Sequence, residues 1–580
     1  MKLLLVAINA KYIHSSLAVR SIEDYARNRD ESLTDAVGMV EYTINHSKNY
    51  IIEDIFKKSP DVIAFSCYIW NYSYVKDIAV NISKVLPGAD IWFGGPEVSY
   101  DSEEVLQAMP WLRGIMRGEG EKTFLELAQA YNRMTKSEKS FADIKGISYR
   151  LGDKVLSNSD REPMDLDELS FPYGNIKDYE NKIIYYEGSR GCPFSCSYCM
   201  SSIDKRVRFK SLDRIKSELS YFIANDVPQV KFVDRTFNCK HEYTKEIWRF
   251  LIENDKGITN FHFEISADLL DDEEIELVSK MRPGLIQMET GIQTTNPLTL
   301  REIHRNMDFN LVSERVRQIA KAKNIHQHLD LIAGLPFEGY ESFKKSYDDV
   351  YALRPNQLQL GFLKLLKGSK MHKNRDEYGI KYLSEPPYEV LSTKYLSYGE
   401  LLHIKLVEEM TEVYYNSGQF EKTMLFLERE YTSAFNMYLE LGLYYEDNGL
   451  REINHSRIAR YNILRDFVAY KGFNNKEIYD ETMLYDLYLR ENLKSRPEWA
   501  SKPRDYSDFY SNEDNIHHYL GEYEKYEYKQ IIRMTHMETF SMDYSLWDGK
   551  ALLEKKETKI LFDYRRRSKL DNSAYVQVIK

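Results

Sequence analysis

Three of the five cysteines in this 580-residue chain lie close together, at Cys192, Cys196 and Cys199. They follow a short apolar run at residues 183–186, so the C-x3-C-x2-C spacing is predicted to lie on a loop that leaves a strand. Closely spaced thiolates on irregular backbone can bind one inorganic cluster, and three ligands for a four-iron cube leave one iron open to a small molecule. A structural zinc site would need a fourth ligand, usually from a second cysteine pair, and the sequence contains no such pair. The spacing therefore predicts an iron–sulfur cluster.

This spacing, with Tyr198 directly before the third cysteine, resembles the signature of the radical S-adenosylmethionine (SAM) superfamily. The resemblance implies a [4Fe-4S] cluster whose open iron binds the amino and carboxylate groups of SAM, and reductive cleavage of SAM to a 5′-deoxyadenosyl radical. It also implies an electron donor such as flavodoxin or ferredoxin. The remaining cysteines, Cys67 and Cys239, are not at cluster spacing and are predicted to be buried small apolar residues.

The composition is that of an ordinary globular protein, with 43% hydrophobic and 29% charged residues. A chain of 580 residues is too long for one core, so three domains are expected. No apolar run is long enough to span a membrane, and reduced clustered cysteines favour the cytoplasm. The net charge of −11 argues weakly against bulk nucleic-acid binding and favours a small molecule or peptide as substrate. The basic run at residues 565–569 is interpreted as solvated surface.

Residues 1–135 alternate between strand and helix patterns, which predicts a doubly wound, Rossmann-like α/β domain. The predicted strands are residues 3–8, 36–42, 61–66, 90–94 and 114–117. Ligands of such sheets bind beyond the carboxyl ends of the strands. No G-x-G-x-x-G motif follows the first strand, so a dinucleotide is not favoured.

Two loops in this region carry a second resemblance, to the cobalamin-binding domain of B12-dependent radical SAM enzymes. One strand ends in Gly94-Gly95-Pro96-Glu97, and the next ends in Arg117-Gly118-Glu119-Gly120-Glu121. Gly95 is interpreted as a position where backbone approaches a bulky ligand closely. The cobalamin-binding residues implied by the resemblance are Asn9, Tyr12, Ser66, Gly94, Gly95, Pro96, Glu97, Gly118, Glu119 and Gly120.

The D-x-H-x-x-G motif of other cobalamin domains is absent, which implies a cobalt whose lower face is open or bound to water. His14 is the only nearby histidine on a candidate ligand loop. A histidine in such a place is more often a loop or cap residue than a cobalt ligand.

Residues 136–180 are predicted to form a hairpin and a linker, and residues 181–400 a partial (β/α)6 TIM-like barrel. The predicted barrel strands are residues 183–187, 229–234, 260–266, 285–290, 327–332 and 357–363. Polar groups at successive strand ends are implied by the resemblance to bind SAM: Tyr198, Asp234, Glu264, Ser266, Glu289, Gly291, Gln293 and Gly334. Carboxylates such as Glu264 or Glu289 suit a ribose diol, although each alone is also explained as a salt-bridged strand end.

Residues 401–580 show helical apolar spacing and many tyrosines, with a possible strand pair at residues 559–564 and 573–579. One interpretation is a helical domain with half-buried tyrosines, and another is a cap that closes the barrel mouth. The region resembles the uncharacterised helical extension of some B12-type radical SAM proteins.

Taken together, the resemblances cover about residues 1–400 and imply a cobalamin-dependent radical SAM enzyme. Most assigned members transfer methyl from methylcobalamin to a substrate carbon radical. A rearrangement or cyclisation with the same cofactors remains open, as does a non-catalytic cobalamin or cluster sensor. The sequence identifies neither the substrate nor a catalytic residue of the chain.

Overall fold

The computed structural model describes residues 1–133, 141–549, 553 and 555–579. The expected domain boundary between residues 135 and 136 lies outside these residues. In the described part the chain forms an amino-terminal α/β domain, a central barrel of parallel strands and a carboxyl-terminal domain. No helix in the described ranges has the length and apolar character needed to cross a membrane.

The amino-terminal domain is built on a seven-stranded sheet with strand order β2-β1-β3-β4-β5-β6-β7. Its strands are β1 (Leu3–Asn9), β2 (Val37–Thr43), β3 (Val62–Ser66), β4 (Asp90–Gly94), β5 (Gly114–Met116), β6 (Ile147–Leu151) and β7 (Lys154–Ser157). Its helices are α1 (Leu17–Arg29), α2 (Lys48–Lys58), α3 (Tyr72–Val85), α4 (Pro96–Ser99), α5 (Ser102–Ala108) and α6 (Glu121–Arg133). The first five strands are parallel, which confirms the predicted doubly wound domain. The hairpin β6–β7 pairs antiparallel with β5 and so extends this sheet.

The strand order reverses direction between β1 and β3, the point where doubly wound sheets bind ligands. The buried side chain of Asn71 holds this point together. Its Nδ2 donates to the carbonyls of Ile8 and Ser66 at 3.0 Å each, and its Oδ1 accepts from the Tyr68 N–H at 2.8 Å. Asn71 thus fixes the carboxyl ends of two neighbouring strands and the loop that follows β3.

The barrel sheet has six parallel strands in the order β15-β14-β13-β12-β11-β8, which confirms the predicted partial barrel. Its strands are β8 (Ile184–Tyr186), β11 (Gln229–Phe232), β12 (Asn260–Ile265), β13 (Ile286–Gln293), β14 (His326–Ala333) and β15 (Gln357–Phe362), and two short ladders add β9 (Ser189–Arg190), β10 (Arg208–Phe209), β16 (Lys381–Tyr382) and β17 (Val390–Ser392). Its helices are α7 (Leu212–Ala224), α8 (His241–Asn254), α9 (Asp272–Ser279), α10 (Pro297–Glu302), α11 (Phe309–Lys321), α12 (Tyr340–Tyr351) and α13 (Lys370–Lys373). The sheet does not close, so β8 and β15 are its edges.

The carboxyl-terminal domain is mostly helical but ends in a three-stranded antiparallel sheet, β18-β19-β20. Its helices are α14 (Tyr398–Thr411), α15 (Glu421–Leu427), α16 (Ala434–Asp447), α17 (Arg457–Tyr470), α18 (Lys476–Arg490), α19 (Ser507–Ser511), α20 (Glu513–Leu520) and α21 (Tyr528–Met534), and its strands are β18 (Thr535–Met542), β19 (Lys555–Arg567) and β20 (Ala574–Ile579). The predicted terminal strand pair is confirmed, and β18 is a third strand that the sequence interpretation missed.

Each edge of the open barrel is covered by a different part of the chain. Beside β8, the Ile183 N–H donates to the Ile13 carbonyl at 2.8 Å, so the loop after β1 lies along this edge. On β15, the Asn416 amide bonds both the N–H and the carbonyl of Leu358 at 2.9 Å. These contacts satisfy edge groups that would otherwise be open to another strand.

Candidate functional site

The cysteine loop leaves β8 through a narrow neck formed by the two-residue ladder of β9 and β10. Gly191, directly after β9, has φ of 99°, and a Cβ there would lie 2.5 Å from the Arg206 carbonyl oxygen. This position therefore requires glycine. Directly beyond it, the Cys192 N–H donates to the Asp204 carbonyl at 3.2 Å, so the first cysteine is fixed at the neck.

The three clustered cysteines line one cavity of about 180 Å³ at the carboxyl ends of the barrel strands. All three are free thiols, Cys192 and Cys196 are buried, and Cys199 is half-buried. Burial raises the pKa of Cys192, and Arg305 Nη1 lies 3.7 Å from Cys196 Sγ. Three convergent thiols on one cavity beside a fixed cation fit an anionic cluster with one open iron. Cys67 is buried as predicted, whereas Cys239 is half-buried; neither lines the cavity.

Six of the eight residues predicted for SAM line this cavity together with the cysteines: Tyr198, Glu264, Ser266, Glu289, Gly291 and Gln293. They come from the cysteine loop and from the ends of β12 and β13, because parallel strands bring their carboxyl ends to one edge. Gln293 has φ of 71° at a register shift in β13, which turns the strand end at this point.

The other two predicted residues do not line the cavity. The Asp234 carboxylate is buried and accepts from the Ser189 hydroxyl at 2.6 Å and from the Gly188 N–H at 2.9 Å. It therefore supports the start of the cysteine loop. Gly334 has φ of 90°, and a Cβ there would lie 2.8 Å from Val390, so this glycine serves a tight turn.

Two neighbouring carboxylates on the cavity wall have opposite protonation preferences. Burial raises the pKa of Glu264 to about 7. Burial also acts on Glu289, but the hydrogen bond from His262 and the charge of Lys231 lower its pKa to about 2. The corresponding distances from Glu289 Oε2 are 2.9 Å to His262 Nε2 and 3.4 Å to Lys231 Nζ. Glu289 is thus held ionised, whereas Glu264 is easily neutralised.

Sequence reasoning missed several residues that line the cavity, among them Arg235, Thr236, Arg305 and Asp330. Asp330 could have been recognised from the sequence, because it is a charged residue between Leu329 and Leu331 in a predicted barrel strand. Arg305 could not: it follows α10 and also donates to the Gly291 carbonyl, a contact that only the fold reveals.

At the carboxyl edge of the amino-terminal sheet, several predicted cobalamin residues have contacts within the protein. Asn9 Nδ2 donates to the His14 carbonyl at 3.1 Å, and Tyr12 is exposed beside Lys182. His14 Nδ1 lies 2.6 Å from the Tyr185 hydroxyl on β8, so this histidine joins the two domains. Ser66 ends β3 at the switch point and is half-buried.

The loop after β4 also contacts the barrel. Glu97 is buried and accepts from the Tyr388 hydroxyl at 2.6 Å, with Lys367 Nζ at 3.4 Å. Gly95 has φ of 104°, and a Cβ there would lie 2.5 Å from the Cys67 carbonyl oxygen. The glycine is therefore required by the loop itself, a different reason from the ligand approach that the sequence suggested. Pro96 begins α4.

The two glycines of the loop after β5 have different surroundings. Gly118 has φ of 71° and open space around its Cβ direction, whereas a Cβ at Gly120 would lie 2.6 Å from Ile22. Gly94, at the end of the neighbouring strand β4, would make only ordinary contact with Met116. Glu119 pairs with Arg208 of the cysteine-loop neck. Gly118 is thus the predicted glycine that the fold leaves free for a ligand.

An aromatic pair follows β3. The rings of Tyr68 and Trp70 stack at a centroid distance of 4.3 Å, and Trp70 is exposed. Burial raises the pKa of Tyr68, and the nearby charge of Arg235 opposes this shift. Tyr68 follows the switch-point strand β3, and Arg235, whose charge acts on it, lines the cysteine cavity.

Family comparisons agree with this architecture. A model described as "B12 binding domain" matches residues 3–128, and one described as "Radical SAM superfamily" matches residues 186–350. A third, "Protein of unknown function (DUF4080)", matches residues 376–562.

Two curated relatives illustrate the range of similar proteins. The 2-(S-pantetheinyl)-carbapenam-3-carboxylate methyltransferase of Streptantibioticus cattleyicolor is 26% identical over 307 residues, covering 49% of this chain and 44% of the relative. The anaerobic magnesium-protoporphyrin IX monomethyl ester cyclase of Rubrivivax gelatinosus is 26% identical over 331 residues, covering 54% and 58%. The chain spans about half the length of the curated relatives that it matches.

Two solved structures share the fold. The radical SAM methyltransferase TsrM from Kitasatospora setae, with cobalamin and a [4Fe-4S] cluster bound, has a TM-score of 0.53 and 16% identity, covering 67% of this chain and 82% of TsrM. The cobalamin-dependent SAM radical enzyme OxsB has a TM-score of 0.57 and 16% identity, covering 83% and 80%. Residues 186–350 therefore match the radical SAM superfamily, and residues 3–128 match the B12-binding domain.

Proposed function

We propose that the protein is a cobalamin-dependent radical SAM methyltransferase that acts on a substrate carbon. One observation carries the proposal: the segments that follow β4 and β5 contact the end of the barrel that holds the cysteine cavity, and the loop after β1 lies along the edge strand β8. The contacts pair His14 with Tyr185, Glu97 with Tyr388, and Glu121 with Arg190. The ligand edge of a B12-binding sheet and a radical SAM cavity therefore face each other.

When bound, the cluster and SAM supply a substrate-activating radical, and cobalamin supplies the methyl group. Cys192, Cys196 and Cys199 hold the cluster in this proposal. The ionised Glu289 and the neighbouring Glu264 are suited to bind a ribose diol, and Arg305 balances thiolate charge at Cys196. These residues are placed to orient the reactants in one small cavity.

On the opposite side, we assign the cobalamin contact to backbone around Gly118 and Gly94 and to the end of β3 at Ser66. Open space at Gly118 lets backbone approach a bulky ring. Glu97 and Glu119 take part through the domain contacts that they make rather than as free side chains.

Methyltransferases among the curated relatives support methyl transfer, and the cyclase among them makes cyclisation the second candidate, ahead of a non-catalytic sensor. We propose a small molecule or a peptide as substrate and a flavodoxin- or ferredoxin-like protein as electron donor. Three free thiols that must stay reduced to hold a cluster support a place in the cytoplasm.

Anaerobic reconstitution with SAM and hydroxocobalamin tests this function. Under reducing conditions we expect both 5′-deoxyadenosine and S-adenosylhomocysteine, and S-adenosylhomocysteine only when cobalamin is present. 5′-Deoxyadenosine without cobalamin-dependent S-adenosylhomocysteine would favour rearrangement or cyclisation. Cobalamin binding without any SAM cleavage would favour the sensor.

A further inference from the structure

The neck of the cysteine loop is clamped from outside the barrel. Arg190 and Arg208 are directly opposite each other in the β9–β10 ladder, and Arg190 lies two residues before Cys192. Any movement of this arginine pair therefore moves the first predicted cluster ligand.

Both arginines pair with carboxylates of the segment after β5, in which Glu119 belongs to the loop and Glu121 begins α6. Arg190 Nη2 lies 2.8 Å from Glu121 Oε1, and Arg190 Nη1 lies 3.5 Å from Glu119 Oε2. Arg208 Nη1 donates to Glu119 Oε2 at 3.3 Å, and its Nη2 contacts the other carboxylate oxygen. Arg190 also pairs with Glu187 at 2.7 Å. The amino-terminal domain thus holds both strands of the neck.

This clamp is shielded from solvent. The Glu121 side chain is 5% exposed and that of Arg190 is 21% exposed. Burial alone would lower the pKa of Arg190, but the carboxylates of Glu187 and Glu121 hold it well above its usual range. Removing one partner from such a set leaves an uncompensated charge, so the geometry of the neck depends on all members.

The same loop carries the glycine that faces open space. Gly118 directly precedes Glu119, and it lies at the carboxyl edge of β5 where such sheets bind their ligands. One short segment therefore contacts the proposed cobalamin side at one end and the cluster neck at the other.

We propose that Glu119 and Glu121 are positioning residues that couple cobalamin binding to cluster binding, an inference that rests on the proposed function. A cluster on Cys192 orders the neck, and the ordered neck holds the loop that carries Gly118. A ligand that binds a loop already ordered loses less conformational entropy, so each group favours the other. Linkage requires the effect to be equal in both directions.

The test compares the dissociation constant of hydroxocobalamin with and without the reconstituted cluster. In the parent protein we expect the cluster to tighten cobalamin binding on the order of tenfold. In the Glu119→Gln, Glu121→Gln double variant this ratio should fall toward one. Asp101→Asn is the matched control, because it weakens another domain contact, 2.8 Å to Lys367, away from the neck. It should keep the parent ratio.

A second measurement separates positioning from general damage to the fold. In the parent protein, the electron paramagnetic resonance spectrum of the reduced cluster should change when SAM is added. In the double variant, this SAM-induced change should differ from that of the parent. The double variant should also form more 5′-deoxyadenosine for each S-adenosylhomocysteine. If the double variant fails to fold, the Glu119→Gln single variant replaces it, because Glu121 still pairs with Arg190 there. Its ratio of cobalamin dissociation constants should lie between one and the parent ratio.

The possible failures are distinguishable. The coupling is overturned if the double variant keeps the parent ratio of dissociation constants. It is also overturned if the parent binds cobalamin equally well with and without the cluster. Both results leave the proposed function intact. A parent that neither binds cobalamin nor cleaves SAM overturns the coupling and the proposed function together.

Discussion

The two domains that flank the barrel contact it in different ways. The amino-terminal domain has its own apolar layers on both faces of its sheet, and its contacts with the barrel include polar pairs such as Glu97 with Tyr388. The carboxyl-terminal domain shares one continuous apolar core with the barrel, in which Tyr347 packs near Tyr438. The comparison indicates a domain that docks at the reactive end and another that is part of the barrel's structural support.

The location of the contacts agrees with this difference. Asn416 covers the edge strand β15, and a Cβ at Gly284, at the start of β13, would lie 3.2 Å from the Lys569 carbonyl oxygen. These carboxyl-terminal contacts lie on the edge and at the amino-terminal end of the barrel. The interpretation of residues 401–580 as a cap over the barrel mouth stays a prediction, because His403 and Lys405 also contact Tyr340 and Phe362 beside the carboxyl ends of β14 and β15.

The largest expected effect is the loss of iron and SAM cleavage when the cysteines of the cavity are replaced. Replacing Cys192, Cys196 and Cys199 by Ala should remove the brown chromophore, about four irons per chain and all SAM cleavage. Cys67→Ala and Cys239→Ala are matched controls because neither lines the cavity, and both should retain iron and activity. Iron analysis and 5′-deoxyadenosine assays measure this. Full iron content in the triple variant would refute the cluster assignment.

The shared core should be the next most sensitive region. Tyr438→Ala removes a fully buried ring that packs against Tyr347 and Tyr351, and should lower the free energy of unfolding by about 3–5 kcal/mol. Tyr470→Ala is the control, since Tyr470 is 72% exposed and should change stability by less than about 0.5 kcal/mol. Urea unfolding gives both values. Equal effects would contradict the shared core.

A substitution at the contact between the amino-terminal domain and the barrel should have a smaller effect on stability. Tyr388→Phe removes a hydroxyl that donates to buried Glu97, which should cost about 1–3 kcal/mol in unfolding of the amino-terminal domain. Amide hydrogen exchange, measured separately for each domain, should show reduced protection in the amino-terminal domain and unchanged protection in the barrel helices. Equal deprotection of both regions would mean that the two domains do not unfold separately.

The smallest effect is a pH dependence of SAM binding. Because burial raises the pKa of Glu264 to about 7, its carboxyl is protonated below that pH and poorly accepts hydrogen bonds from a ribose diol. SAM affinity should therefore rise with pH across this range, by at most about tenfold per pH unit. Glu264→Gln should remove the dependence, as calorimetry between about pH 6 and 8 would show. An unchanged slope in that variant would exclude Glu264 as the titrating group.

The sequence predicted the fold well where the local pattern is strong. All six barrel strands and the five parallel strands of the first sheet were expected, since buried parallel strands read as apolar runs. The strand β18 was missed because its sequence, THMETFSM, has neither an apolar run nor strict alternation of apolar and polar residues. Short ladders such as β9–β10 have no periodic signal at all.

The site was predictable only in part for a similar reason. Spacing identified the cysteines, and strand-end position identified Glu264 and Glu289. Position alone could not tell that Asp234 turns toward Gly188, or that Glu119 pairs with an arginine of the barrel. These side chains have partners that only the tertiary structure brings near.

The central claim is that the B12-binding edge and the cysteine cavity form one site. The most direct measurement is the electron paramagnetic resonance spectrum of protein that carries both cob(II)alamin and the reduced cluster. Since reacting atoms must approach to about 3–3.5 Å during transfer, the two paramagnets must lie near each other. We predict mutual broadening of both signals. A spectrum equal to the sum of those from proteins with one group alone would contradict the account.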